Sequence, residues 1–450
     1  MHPNLSSRAP WRAGLVAIAL LAAAVPVAQA SARESENKPY VVILKDRSAN
    51  AKGVADDHSR RFGVKVKLVY DNGVRGYAGS MTDENALKVA RQSGVVIAPD
   101  AEVTGFATQN VAVTPSPYSA LPTGWGYHLD RVDQRNSLAN STPAEKGLYN
   151  YSRTGAQVTA YVIDSGVNYN HIEFGTRATA GYDAFRAKTH ADFGKDCNGH
   201  GTHVAGILGG KNFGVAKDVN IVSVRVLDCN GSGSVSNVVA GINYVTGIKR
   251  ANPGKAMVAN MSLGGGANAS LDQAVRDSIA SGITYAIAAG NGNIFGSGQD
   301  ACNVSPARVT TALTVGATDT NDTRTTWSNY GSCVDIYAPG NTIVSSYGKT
   351  QDSTAWTPMS GTSMAAPAVA GVAALLLQID AGASPGQVGH AMAQVATIGK
   401  VNGTNVAGAK LLYGPWTDPD LATAADKLND TVSTPAPPPP RSCVLFCLFG

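Results

Sequence analysis

Three short stretches of the 450-residue chain carry the side chains of a nucleophilic hydrolase: Asp164 in "YVIDSGV", His200 in "NGHGTHVAG" and Ser363 in "MSGTSMAAP". A serine hydroxyl is a poor nucleophile at neutral pH until an imidazole removes its proton. The imidazole in turn needs a carboxylate to fix its tautomer and stabilise its charged form. Taken singly, the three are ordinary structural choices: a strand-end aspartate, a helix-start histidine and a serine N-cap. A second histidine, His203, follows His200 and would share one helix face with it. A metal-binding pair would want H-E-x-x-H spacing or further ligands in reach, which "HGTH" lacks. His200 therefore reads as the base and His203 as a structural residue beneath it.

These side chains need a frame. The apolar runs "QVTAYVID", "VNIVSVRVLD", "AMVANMSLG" and "ITYAIAAGN" alternate with helical stretches. This pattern predicts an α/β fold, a doubly wound, mostly parallel sheet flanked by helices, with ligands at the carboxyl ends of the strands. Asp164 falls where an apolar strand meets a glycine turn. His200 opens an apolar helix between Gly199 and Gly201, where small neighbours leave room for substrate. Ser363 opens "MAAPAVAGVAALLLQI", whose first N–H groups favour developing negative charge. Between two strands, Leu271 to Ser281 is predicted helical, with Ser270 as N-cap and Gly282 as its stop. Upstream, Pro39 to about Thr108 shows a β-α-β-β-α-β order, enough for a small α+β open-faced sandwich. A Thr-, Pro- and Ser-rich stretch from Thr108 to Thr123 reads as a boundary.

Composition narrows the class. The chain is 44% hydrophobic and 15% charged with a net charge of +4, and no dense Lys/Arg block suggests a nucleic-acid partner. Arg8 and Arg12, the apolar run from Ala13 to Ala28 and an A-x-A site ending at Ala30 read as a secretory leader. Export makes disulfides permissible for the six cysteines. No C-x-x-C pair exists and the spacings match no zinc pattern. Near the end, "STPAPPPPRS" is a polyproline spacer before "CVLFCLFG", which is too short to cross a bilayer. The expected organisation is a leader over 1–30, a small α+β module over 31–107, a large α/β domain over 108–415 and a Pro-rich tail over 416–450.

"VIDSGV", "GHGTHVAG" and "GTSMAAP", in this order, resemble the three signature segments of the subtilisin-type serine peptidases. "LDRVDQR", "CNGHGTHVAG" and "SNYGSCVDIYAPG" resemble the proteinase K branch, most of all its aqualysin-like bacterial extracellular members. The resemblance implies a secreted endopeptidase of broad specificity with Asp164, His200 and Ser363 as triad. "AIAAGNGN" resembles the family's oxyanion motif, which makes Asn291 the side-chain donor and sets Ala288, Ala289 and Gly290 beside the substrate. It implies two substrate edges, Gly231, Ser232, Gly233, Ser234 and Val235 on one side and Ser262, Leu263, Gly264 and Gly265 on the other. It pairs Cys197 with Cys229 and Cys302 with Cys333, and leaves Cys443 and Cys447 unassigned.

The same resemblance makes the upstream module an inhibitor and folding template. Its end, Val103 to Ala107, would lie in the active site and be cut near residues 105 to 112. Structural calcium is implied at Asp335 with the carbonyls of Thr310 and Ala312, and at Asp130, Asp133 and Gln134. Three positions depart from the pattern: Ala368 replaces a histidine, Thr310 a proline, and Val235 stands where proteinase K has an aromatic lid. A noncatalytic peptide binder is disfavoured because no chemical component is missing. An α/β-hydrolase esterase would need G-x-S-x-G, whereas Ser363 lies in G-T-S-M-A. Activity is expected to rise through about pH 6 to 8 as His200 becomes neutral. The expected partners are protein and peptide substrates and the chain's own prosegment, with the enzyme a monomer bound to neither nucleic acid nor membrane.

Overall fold

The computed structural model describes residues 36–109, 126–140, 147–293, 296–404, 406–414 and 418–430. The expected leader, most of the boundary stretch from Thr108 to Thr123, and Cys443 and Cys447 lie outside them.

The first described elements are β1 (Lys38–Leu44), α1 (Ala51–Phe62), β2 (Lys65–Tyr70), β3 (Gly76–Met81), α2 (Asp83–Ala90) and β4 (Val95–Pro99). They follow one another in the β-α-β-β-α-β order that the alternation predicted, and their strands form an antiparallel sheet of order β2-β3-β1-β4. Asn50 caps α1 by accepting from the Gly53 N–H, and Thr82 caps α2 from Asn85. Strand β1 divides its side chains. Tyr40, Val42 and Leu44 enter a core with Ala55 and Phe62 of α1, while Val41 and Ile43 enter the core of the larger layer.

Next come β5 (Glu102–Gly105), β6 (Thr108–Gln109), α3 (Tyr127–Val132), β7 (Thr159–Asp164), β8 (Ala178–Asp183), α4 (His200–Gly209) and β9 (Asn220–Arg225). They are followed by β10 (Ser232–Ser234), α5 (Val235–Ala251), β11 (Met257–Met261), β12 (Leu263–Gly266), α6 (Ala269–Ile279) and β13 (Thr284–Ala288). The chain continues through β14 (Val304–Ser305), β15 (Leu313–Thr318), β16 (Ile336–Pro339), β17 (Ile343–Ser346), β18 (Trp356–Ser360) and α7 (Thr362–Ile379). It closes with α8 (Pro385–Val395), β19 (Thr397–Ile398), β20 (Lys410–Leu411) and α9 (Asp418–Leu428).

The main sheet has the order β19-β20-β16-β15-β13-β11-β7-β9-β8, parallel except at β19–β20. From β7 the chain first builds β8 and β9 on one side, then returns through β11 to the other. The carboxyl ends of β7 and β11 therefore flank the topological switch point, where such sheets bind ligands. Strand β7 shows why both faces carry helices. Ala160 and Val162 enter the core with α4, α7 and α8, while Tyr161 and Ile163 enter the core with α5 and α6. Among the described residues α7 alone is long and apolar enough to cross a membrane, and it is the buried central helix of the first core.

Two expectations change. The helix predicted from Leu271 begins at Ala269, and its cap is Asn268, which accepts from the Leu271 N–H at 3.1 Å. Ser270 instead donates its hydroxyl to the Val41 carbonyl at 2.8 Å, a partner hundreds of residues away that no local reading could supply. Residues 418–428, read as the start of the tail, form α9, which buries Ala424 and Leu428 in the main core and binds Gln387 of α8 through the Leu428 carbonyl. Disulfides join Cys197 to Cys229 and Cys302 to Cys333.

Candidate active site

Asp164 ends β7 and is fully buried. His200 is the first residue of α4, and its Nδ1 lies 2.7 Å from Asp164 Oδ1, which also accepts the Ser165 N–H at 2.7 Å. Burial pulls the His200 pKa down, and the Asp164 carboxylate outweighs it, leaving the imidazole raised above its usual 6.5. One turn further, His203 holds its Nε2 against the Thr357 carbonyl at 2.9 Å, and burial lowers its pKa to about 3. The two histidines thus differ in partner and in the direction of their shift: one faces a carboxylate, the other a backbone carbonyl in a buried core.

Ser363 is the second residue of α7. Its Oγ donates to the Ser262 carbonyl at 3.0 Å, while His200 Nε2 is buried with no hydrogen-bond partner among the described residues. The carbonyl of Ser363 would normally accept from the N–H four residues on, but that residue is Pro367. Ser262 Oγ takes the place of that donor at 2.9 Å and itself accepts from Asn260 Nδ2 at 2.9 Å. Serine and strand edge are therefore tied in both directions. Thr362 orients the neighbouring amide: its N–H and its hydroxyl both donate to Asn291 Oδ1 at 2.9 Å, which turns Asn291 Nδ2 toward the site.

The chain's own residues 102–109 run through this site. Strand β5 lies antiparallel between β10 and β12, pairing Gly233 with Val103 on one side and Gly264 with Thr104 on the other. The Gly105 N–H donates to Gly231 and the Phe106 N–H to Ser262, each at 3.1 Å. The Phe106 carbonyl oxygen accepts from Asn291 Nδ2 at 2.8 Å and from the Ser363 N–H at 3.3 Å. Beyond it, β6 pairs Thr108 with Ser360 of β18. The Phe106 ring passes close over Gly264, where an added Cβ would stand 2.6 Å from its Cζ. Val103 is buried in one apolar cluster with Val235, Leu227 and Leu263.

The structure brings Gly231 to Val235 and Ser262 to Gly265 to the two sides of this segment. Gly290 reaches the Phe106 ring edge, since a Cβ on it would lie 3.8 Å away. Ala289 is occupied elsewhere: its N–H goes to Val315 and its carbonyl to Asn329 Nδ2. Ala288 ends the buried strand β13. Sequence reading missed Thr362, Pro367 and Asn260. The only local signal was the placing of Thr and Pro around the serine in "GTSMAAP".

Calcium would be held through oxygen atoms. Among the described residues no group of three or more His, Cys, Asp or Glu side chains converges, so a cation would draw partly on carbonyl and amide oxygens. Asp133 Oδ1 is buried without a partner, while Oδ2 accepts the Asn150 N–H at 2.6 Å. Burial, opposed by Asn150 and reinforced by the Asp130 charge, raises the Asp133 pKa to about 6. A bare buried carboxylate oxygen beside a second acid fits a hard cation, with Asp130, Asp133 and Gln134 supplying oxygens. At the other candidate, Asp335 Oδ2 accepts the Thr314 N–H at 2.8 Å, which fixes the carboxylate beside the segment carrying the Thr310 and Ala312 carbonyls. That oxygen-only set also fits in kind.

The Subtilase family model matches residues 155–414, more than half of the chain. The chain is 46% identical over 356 residues to an extracellular serine proteinase of Thermus sp., covering 79% of each protein. It is 44% identical over 373 residues to alkaline serine exoprotease A of Vibrio alginolyticus, covering 81% of this chain and 63% of that protein's length. A cold-adapted subtilisin-like serine proteinase of known structure superposes with a TM-score of 0.57 at 49% identity, covering 64% of this chain and 97% of that one. The chain belongs to the subtilase family of serine peptidases.

Proposed function

We propose that the protein is a secreted serine endopeptidase of broad specificity, made as a zymogen that cuts itself between Phe106 and Ala107. One observation carries this reading: the Phe106 carbonyl oxygen lies between Asn291 Nδ2 and the Ser363 N–H, where an oxyanion would be stabilised. In catalysis the Ser363 hydroxyl turns from Ser262 to His200 Nε2, gives up its proton and attacks the scissile carbonyl. Asp164 holds the imidazole in the reactive tautomer. His200 then protonates the leaving amine, and water hydrolyses the acyl-enzyme by the reverse steps. Main-chain pairing with β10 and β12 binds peptide with little sequence demand, with an aromatic pocket at Gly264 and an aliphatic one at Val235.

In this reading residues 31–106 are the inhibitory prosegment, one residue short of the expected 31–107, and the catalytic domain follows the cut, from Ala107 to about residue 415. The extracellular Thermus relative supports secretion. Calcium held at Asp130, Asp133 and Gln134, and at Asp335 with the Thr310 and Ala312 carbonyls, would stiffen the surface by replacing missing hydrogen bonds. Intact-mass measurement of the full-length chain tests the proposal. The wild type should yield a species beginning at Ala107 and the Ser363→Ala chain should stay uncut; equal cutting of both would overturn it.

A further inference from the structure

The N-cap of α4 is Gly199, which has no side chain with which to cap the helix. Asp196, 1% exposed, supplies the missing acceptors. Its Oδ1 accepts from the Asn198 N–H at 2.9 Å, the Gly199 N–H at 2.8 Å and Ser165 Oγ at 3.0 Å. Its Oδ2 accepts from the Thr202 N–H at 2.9 Å and Thr202 Oγ1 at 2.6 Å. Ser165 directly follows Asp164, and its Oγ accepts the Gly201 N–H at 3.0 Å. The chain on either side of His200 and the residue after Asp164 therefore end on one carboxylate. The packing leaves it nowhere to go, since a Cβ on Gly348 would stand 2.9 Å from Asp196 Oδ2 and one on Gly199 would meet the Tyr347 ring at 2.1 Å.

We propose that Asp196 is a positioning residue for the Asp164–His200 pair: one buried carboxylate that holds both segments in register and sets a second negative charge near the imidazole. This rests on the reading of His200 as the base. Burial pushes the Asp196 carboxyl up from its usual range, and five donors aimed at two oxygens hold the ionised form against that. The titratable groups acting on His200 are Asp164 at the end of β7, Asp196 in the loop before α4, and His203 on α4 itself, which stays neutral in its dry site. The two carboxylates together favour protonated His200 against the burial that disfavours it.

Asp196→Asn preserves size and removes the charge. In the full-length chain, self-cleavage and kcat on a peptide anilide should fall about 10- to 100-fold with KM little changed, as a small misplacement of the reacting groups requires. The acid limb of kcat/KM should move to lower pH, because one of two anions favouring protonated His200 is gone. Ser165→Ala removes the two bonds of one hydroxyl, to Asp196 and from the Gly201 N–H, and keeps the charge, so it should lower kcat less and leave the acid limb in place. A reduced Tm for Asp196→Asn with kcat per titrated active site and acid limb both unchanged would overturn the proposal. If that variant does not accumulate folded, a Ser165→Ala enzyme with wild-type kcat would overturn it. A Ser363→Ala chain that still cut itself would instead sink the underlying reading, so the two failures are distinguishable.

Discussion

Pro367 leaves the Ser363 carbonyl without its helical donor, and Ser262 Oγ, 101 residues earlier, fills the gap at 2.9 Å. The nucleophile is thereby bound to the edge strand that pairs with residues 102–106. Ser262→Ala should leave a buried carbonyl unsatisfied, costing about 1–3 kcal/mol and lowering kcat about tenfold. Pro367→Ala offers that carbonyl a backbone N–H, so the stability loss from Ser262→Ala should be smaller in the Pro367→Ala background. A double-mutant cycle in denaturant reads this, and strict additivity would count against the link.

In the proposed reading Gly264 selects the side chain that precedes the cut. Its missing Cβ is the space through which the Phe106 ring passes, and an added methyl carbon would lie 2.6 Å from Cζ. Gly264→Ala should lower cleavage after Phe and Tyr about tenfold or more relative to cleavage after Ala, and slow self-processing at Phe106. A peptide library with one varied position measures the ratio. An unchanged ratio would place the aromatic pocket elsewhere.

The parts legible in the sequence were those fixed by local pattern. The alternating apolar runs of β7, β9, β11 and β13 gave the sheet, and the strand-end, helix-start and helix-start positions of Asp164, His200 and Ser363 gave the site. What stayed hidden depends on contacts between distant segments. Ser270 looks like a cap until Val41 competes for its hydroxyl, and Asp196 looks like a loop acid until Ser165 and Thr202 fold onto it. Helix α9 was hidden because a short alanine-rich stretch beside a Pro-rich tail carries no sign that α7 and α8 offer it an apolar seat.

Acid should destabilise the fold through its buried neutral histidines. Burial lowers His128 to about 4 and His203 to about 3, from an ordinary 6.5. Both folded values lie below the unfolded one, so their contribution is fully present above about pH 6.5 and is lost as pH falls toward 4 and 3. In that window the unfolded chain binds protons that the folded chain refuses. Denaturant midpoints of the inactive Ser363→Ala chain should therefore drop below pH 6.5, and His203→Gln, though less stable at pH 8, should show a shallower decline. A parallel decline in both chains would exclude His203 as a source.

Chelation should lower Tm. The bare buried Oδ1 of Asp133 is the oxygen with most to gain from a cation, so Asp133→Asn should reduce the chelator-induced drop. Differential scanning with and without chelator, then with calcium restored, measures it. No shift in the wild type would end the calcium proposal.

Under the proposed self-processing the upstream module has to leave after the cut, and one ion pair should time its departure. Arg47 reaches Asp277 of α6 at 3.1 Å, where Asp277 is 2% exposed and its Oδ2 has no partner. Because Asp277 is buried, Arg47→Ala removes the cation that pairs, among the described residues, with a carboxylate that water hardly reaches. Its burial already raises the Asp277 pKa, with Arg47 opposing that rise. The cut module should then dissociate about tenfold faster, equivalent to about 1.4 kcal/mol of lost contact. The lag between appearance of the Ala107 N-terminus and full activity on a peptide substrate should shorten accordingly. Asp277→Asn tolerates the missing cation, so adding Arg47→Ala to it should shorten the lag little further. A lag unchanged by Arg47→Ala, with the cut itself proceeding at the normal rate, would mean that the apolar contacts of Val41 and Ile43 alone govern release.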